Sequence, residues 1–156
     1  MKKVLLLSFL SCWLAACGGA KYYVRGDKAA PLFEKERVVY IVQNDATKEG
    51  FLSNMQSWLA NHAYRVEVVS APVNASVPYL TYVARWSWDG GIFLADATVK
   101  AFSGGTLHGS SMIKVPNNFN FSKYGDTEGR IDNLMSLLFF HKTENAKQIN
   151  VTFEVE

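Results

Sequence analysis

The chain has 156 residues, of which 49% are apolar, 13% aromatic and 19% charged. That balance suits one folded domain and excludes disordered, collagen-like and coiled-coil architectures. The formal charge of +2 comes from Lys2 and Lys3; the 14 basic and 14 acidic residues that follow cancel, which excludes a nucleic-acid binder held by a general positive field.

The chain opens MKKVLLLSFLSCWLAAC. Two lysines precede an apolar run from Val4 to Leu14, too short for a spanning helix of about 20 residues and suited to a signal-peptide core. The run ends in Leu14-Ala15-Ala16-Cys17, which resembles the lipobox of bacterial lipoproteins. That resemblance implies cleavage after Ala16 and acylation of Cys17, with residues 1–16 lost as the leader; the alternative is ordinary secretion with a free Cys17. Each buried methylene of an acyl chain adds about 0.8 kcal/mol, so several chains anchor a protein almost permanently. Gly18 stands where an aspartate would favour inner-membrane retention, which points to the outer membrane. Cys12 leaves with the leader, so no thiol remains for a disulfide, a metal or a nucleophile.

Residues 18–36 mix Gly, Lys and Pro without periodicity and are expected to form a tether, giving a lipidated cysteine and tether over 17–36 and one domain over 37–156. Tyr22 to Val24 offer only a weak hint of an edge strand. Val38 to Val42 reads as a strand buried on both faces. A helix follows from about Thr47 to Asn61, with Phe51, Leu52, Met55, Trp58 and Leu59 on one stripe and Asn44, Asp45 and Thr47 as candidate caps. Tyr64 to Val69 alternates as a second strand, parallel to the first.

Tyr79 to Asp89 and Ile92 to Phe102 alternate around Gly90-Gly91, which predicts a hairpin with a two-residue turn. That register pairs Trp88 with Phe93, Trp86 with Ala95 and Ala84 with Ala97 on an apolar face. It pairs Arg85 with Asp96, Val83 with Thr98 and Thr81 with Lys100 on the other. A second turn at Gly104-Gly105 leads to a strand from Leu107 to Val115, whose inward residues the pattern leaves open. An Asn-rich loop, a helix from about Asp126 to Phe140 and a last strand over Gln148 to Val155 complete the chain. The expected fold is α+β: a single mixed sheet in the order β-α-β-β-β-β-α-β, with two helices packed on one face.

No catalytic set stands out. His62, His108 and His141 are scattered and lack metal-ligand spacing, so neither a metal nor any cofactor beyond the lipid on Cys17 is expected. Ser110 and Ser111 lack the nucleophile-elbow pattern. Asp96 is expected to pair with Arg85 rather than to work with Asp89 as an acid–base couple. The Arg85-Trp86-Ser87-Trp88-Asp89 segment carries two readings: a core and turn element, or part of a docking surface. On the second reading Tyr79, Thr81, Arg85, Asp96 and Lys100 form the candidate binding face, since Tyr and Arg are common interface anchors.

The lipobox together with Tyr82-Val83-Ala84-Arg85-Trp86-Ser87-Trp88-Asp89 resembles a group of small proteobacterial lipoproteins with the pattern Tyr-x-Ala-x-Trp-x-Trp-Asp followed by an aromatic strand. The likeness covers about Val38 to Phe140 and brings no catalytic residue across. The element order is more loosely similar to the βα domains of periplasmic assembly lipoproteins, such as the curli-secretion channel protein and the penicillin-binding-protein activator. These resemblances imply a lipid-anchored, periplasm-facing binding or assembly module of the outer membrane that engages an envelope component, a protein foremost, without turnover. An immunity or inhibitor lipoprotein is the alternative. A periplasmic hydrolase using Asp89, Asp96 or His108 is a further one, favoured by a pocket that joins two of the three.

Overall fold

The computed structural model describes residues 19–74, 76–117, 121–143 and 150–154. The expected leader over residues 1–16 and Cys17 lie outside the described residues, as do Gln148, Ile149 and Val155 of the expected last strand.

Seven strands form one mixed sheet. They are β1 (Lys21–Gly26), β2 (Val38–Val42), β3 (Arg65–Val69), β4 (Tyr79–Trp88), β5 (Ile92–Ser103), β6 (Thr106–Lys114) and β7 (Asn150–Glu154). Three helices are interposed: α1 (Ala30–Phe33), α2 (Glu49–Asn61) and α3 (Thr127–Phe140). The spatial order is β3-β2-β4-β5-β6-β1-β7. The β2–β3, β2–β4 and β1–β7 pairs are parallel and the rest antiparallel. The α+β class and the mixed sheet are as the sequence implies, with one strand and one short helix more.

Both additions fall in the expected tether. β1 is an interior strand, paired antiparallel with β6 and parallel with β7. Tyr22 and Val24 point into the core, and Ala29 and Phe33 from the α1 region are buried with them. A strand with two inward residues is too short to show a period; pairing with a strand far along the chain decides it. The stretch expected as a tether therefore contributes a strand and a helix to the fold from Lys21 onward.

One face of the sheet carries the core. Leu80, Tyr82, Ala84, Ala97, Val99, Ala101 and Ile113 are buried there, beneath Phe51, Met55, Trp58 and Leu59 of α2 and Ile131, Leu134, Leu138 and Phe139 of α3. Phe51 stacks on Tyr82, and Ser111 Oγ donates to the Leu134 carbonyl at 2.8 Å, so both long helices lie on this face. Phe139 is the junction of the helical layer, its ring within 6.1 Å of those of Phe33, Trp58, Tyr64 and Phe140. The open inward positions of β6 are settled: Ser111 and Ile113 face the helices, Ser110 and Met112 the other way.

Asp126 caps α3, its Oδ1 accepting from Gly129 N at 2.8 Å. The expected caps of α2 act elsewhere. β2 pairs with β4 only through Tyr40 and Ile41, which leaves β4 unpaired on that side beyond Leu80. The loop before α2 supplies the missing partners: Asn44 Nδ2 donates to the Tyr82 carbonyl at 2.9 Å, and Thr47 Oγ1 accepts from Ala84 N at 3.2 Å. A buried strand edge loses more from unpaired backbone groups than a helix start that water reaches.

The β4–β5 hairpin follows the expected register from Thr81–Lys100 to Arg85–Asp96. A bulge then places Ala95 outside the pairing, and Trp86 meets Leu94, Ser87 meets Phe93 and Trp88 meets Ile92. The turn accordingly spans Asp89 to Gly91, and only Gly90 takes positive φ, at 70°. The Trp86–Ala95 and Trp88–Phe93 pairs expected from the sequence do not form, because one extra residue on β5 shifts every later partner. Phe93 and Leu94 are both buried as a result, while Trp88 lies 73% exposed.

Candidate functional site

The sheet face opposite the helices is set by strand alternation alone. Its residues form rows across the strands. One row runs Tyr40, Tyr79, Phe102, Leu107. The next runs Thr81, Lys100, Ser110, Arg25, Glu154, and the third Val83, Thr98, Met112, Tyr23, Thr152. The fourth runs Arg85, Asp96, Lys114, Lys21, Asn150. All five candidate binding residues, Tyr79, Thr81, Arg85, Asp96 and Lys100, therefore share this face.

Arg85 and Asp96 are ion-paired across β4 and β5, with Nε donating to Asp96 Oδ2 at 2.7 Å. The pair is solvent-facing, so it contributes little to stability and leaves its outward edges able to bond a partner. Tyr79 stacks on Phe102, ring centres 5.2 Å apart, which fixes the position of the phenol. Lys114 lies over the Tyr23 ring at 5.5 Å. Lys100 and Lys114 have no carboxylate partner among the described residues. The face is thus cationic along its middle, with an aromatic row at one end. Val83 in its centre is 54% exposed.

At the Arg85 end the face deepens into a cleft of about 450 Å³, lined by Arg85, Asp96, Lys114, Asn117 and the ring of Phe93. The wall comes from the segment after β6. Lys123, in a 3-10 turn over Phe121–Tyr124, folds back over the Phe93 and Tyr124 rings and is 4% exposed. Its ammonium is ion-paired with Asp89 and donates to Asn117 Oδ1 at 3.0 Å. Its hydrogen bond to the Asp89 carboxylate holds this lysine above the ordinary lysine range, against the opposite pull of burial. Arg130 of α3 secures the same turn, Nη1 donating to the Lys123 carbonyl at 2.9 Å. A larger pocket of about 510 Å³ opens beside α1 and the end of α3 and includes none of the five candidate residues.

Asp89, Asp96 and His108 do not come together. Asp89 is engaged by Lys123, Asp96 by Arg85, and His108 Nε2 lies 3.2 Å from the Lys28 carbonyl at the other end of the sheet. The cleft includes Asp96 alone of the three. His62 stacks on Trp58 at 3.8 Å, and His141 ends α3 in the left-handed conformation. No cluster of His, Cys, Asp or Glu suited to a metal ion occurs among the described residues.

Lys123 is the residue that the sequence does not mark. It lies 34 positions from Asp89 in a polar loop, and nothing local distinguishes it from a solvated surface lysine. The exposure of Trp88 is likewise unmarked, because alternation puts it on the same side of β4 as Ala84 and Trp86.

No protein-family model matches this chain, and no curated protein matches it.

Proposed function

We propose that the chain is an outer-membrane lipoprotein, anchored through acylated Cys17, whose folded domain is a non-catalytic docking module for an envelope protein. The observation that carries this reading is the gathering of Tyr79, Thr81, Arg85, Asp96 and Lys100 on the one sheet face free of helices. A half-buried antiparallel sheet normally solvates such a face with mixed polar residues. Here the stacked Tyr79–Phe102 pair and the Arg85 guanidinium lie on one open face, and tyrosine, phenylalanine and arginine are the residue types that protein interfaces favour. The lipobox and the leader support the anchoring half of the reading.

The two halves are tested separately. Replacing Cys17 with Ser moves the protein out of the membrane fraction or leaves it unprocessed; normal processing and unchanged fractionation refute the anchor. Changing Arg85→Ala together with Lys100→Ala removes the co-purifying partner while the circular dichroism spectrum stays the same. Retention of every partner by that variant refutes docking on this face.

A further inference from the structure

β1, β4, β5 and β6 place three features at one end of the sheet. Lys21, Lys114, Asp96 and Arg85 stand in one row, so the start of β1, the end of β6 and the β4–β5 turn all lie beyond it in the same direction. Past that row the molecule exposes large apolar side chains. Trp88 is 73% exposed, its cross-strand partner Ile92 60%, and Phe121 84%. Their backbone is not loose: Tyr124 packs across Gly91 and edge-on to Phe93, and Lys123 and Arg130 tie down the turn that bears Phe121. Exposed apolar residues held on a fixed framework mark a contact surface.

The chain itself indicates what covers them. Cys17 precedes Lys21 by four residues, which span at most about 14 Å when fully extended. The hairpin projects from Asp96 to Ile92, about 10–13 Å at strand rise. An anchor at Cys17 therefore cannot hold the bilayer farther out than roughly the hairpin tip. Trp and Tyr favour the headgroup level of a membrane, and the lysines at 21 and 114 suit an anionic lipid surface.

We propose that Trp88, Ile92 and Phe121 form a second membrane contact, seated in the lipid headgroup layer beside the acylated cysteine. This rests on the anchoring half of the proposed function. The domain is then oriented, with the sheet upright on the bilayer and its helix-free face turned along the membrane plane, open to a partner in the same leaflet.

The test uses the full-length processed protein in vesicles of phosphatidylethanolamine and phosphatidylglycerol. Acylated Cys17 carries no free thiol, so Ile92→Cys, Phe121→Cys and, at the opposite end, Leu107→Cys each accept one nitroxide label. Collision with oxygen and with a water-soluble nickel chelate is read by power saturation, and mass spectrometry of the N-terminal peptide reports acylation. We expect oxygen to dominate at 92 and 121 and nickel at 107. Nickel dominating at all three positions in acylated protein overturns the second contact and leaves the anchor standing. An unacylated Cys17 in processed protein overturns both.

Discussion

Val24→Ala separates an interior strand from a tether. Val24 is 2% exposed, opposite Ser111 of β6 on one side and Phe153 of β7 on the other. The change removes two methyl groups, which costs about 1.6 kcal/mol in lost transfer free energy. The cavity adds about 1 kcal/mol, because strands on both sides keep the gap from closing. The sum is about 2.5 kcal/mol, a sizeable part of the 5–15 kcal/mol typical of a domain. With a urea slope near 2 kcal/mol/M the midpoint falls by about 1.2 M. Lys21→Ala, exposed on the same strand, shifts stability by no more than about 0.5 kcal/mol. Urea unfolding followed by circular dichroism makes the comparison. A Val24→Ala shift below about 0.3 M, equal to that of Lys21→Ala, refutes the placement of β1 inside the sheet.

Other consequences follow from particular contacts. A Cβ at Gly109 would overlap the Asp27 carbonyl oxygen, so Gly109→Ala lowers the melting temperature; a rise, the usual sign where the backbone accommodates alanine, contradicts that close approach. Removing Asp89 leaves the covered Lys123 ammonium without its carboxylate, so Asp89→Ala speeds amide exchange at Tyr124 and Gly125 more than Lys123→Met does, since methionine takes the charge away and packs on the same rings. The reverse order refutes the pin. Burial holds His141 below the ordinary histidine range, with Lys28 adding to the effect and Asp27 opposing it. The unfolded chain therefore takes up this proton first, and the associated stability, complete above about pH 6.5, is lost as pH falls through the folded-state value. His141→Asn keeps a residue that tolerates φ 55° and flattens the melting temperature between about pH 7 and pH 5; an unchanged slope removes His141 from the acid response.

Long periodic elements were legible in the sequence. α2, α3 and the inner half of the β4–β5 hairpin follow from their apolar spacing, and the Arg85–Asp96 pair follows from the register; β2 forms where expected but buries only Val39 and Ile41 rather than both faces. The bulge at Ala95 has no local signature, so the same reasoning gives Trp86 and Trp88 the wrong cross-strand partners and does not foresee the exposure of Trp88. β1 escaped because its inward side is Tyr22 and Val24 alone. Asn44 and Thr47 have the chemistry of helix caps, and only the early parting of β2 from β4 gives them a different task. The candidate face was legible because alternation is local. Its cleft was not, because the wall depends on the Lys123–Asp89 pair, which joins distant segments.

The docking reading is tested most directly by photocrosslinking in living cells. A photoreactive residue is placed in turn at Thr81, Arg85 and Thr98 on the helix-free face, and at Ser57 on the exposed side of α2. Docking predicts one and the same protein adduct from the first three positions and none from Ser57. Folded, acylated protein that yields no adduct at 81, 85 and 98, or the same adducts from Ser57, contradicts it.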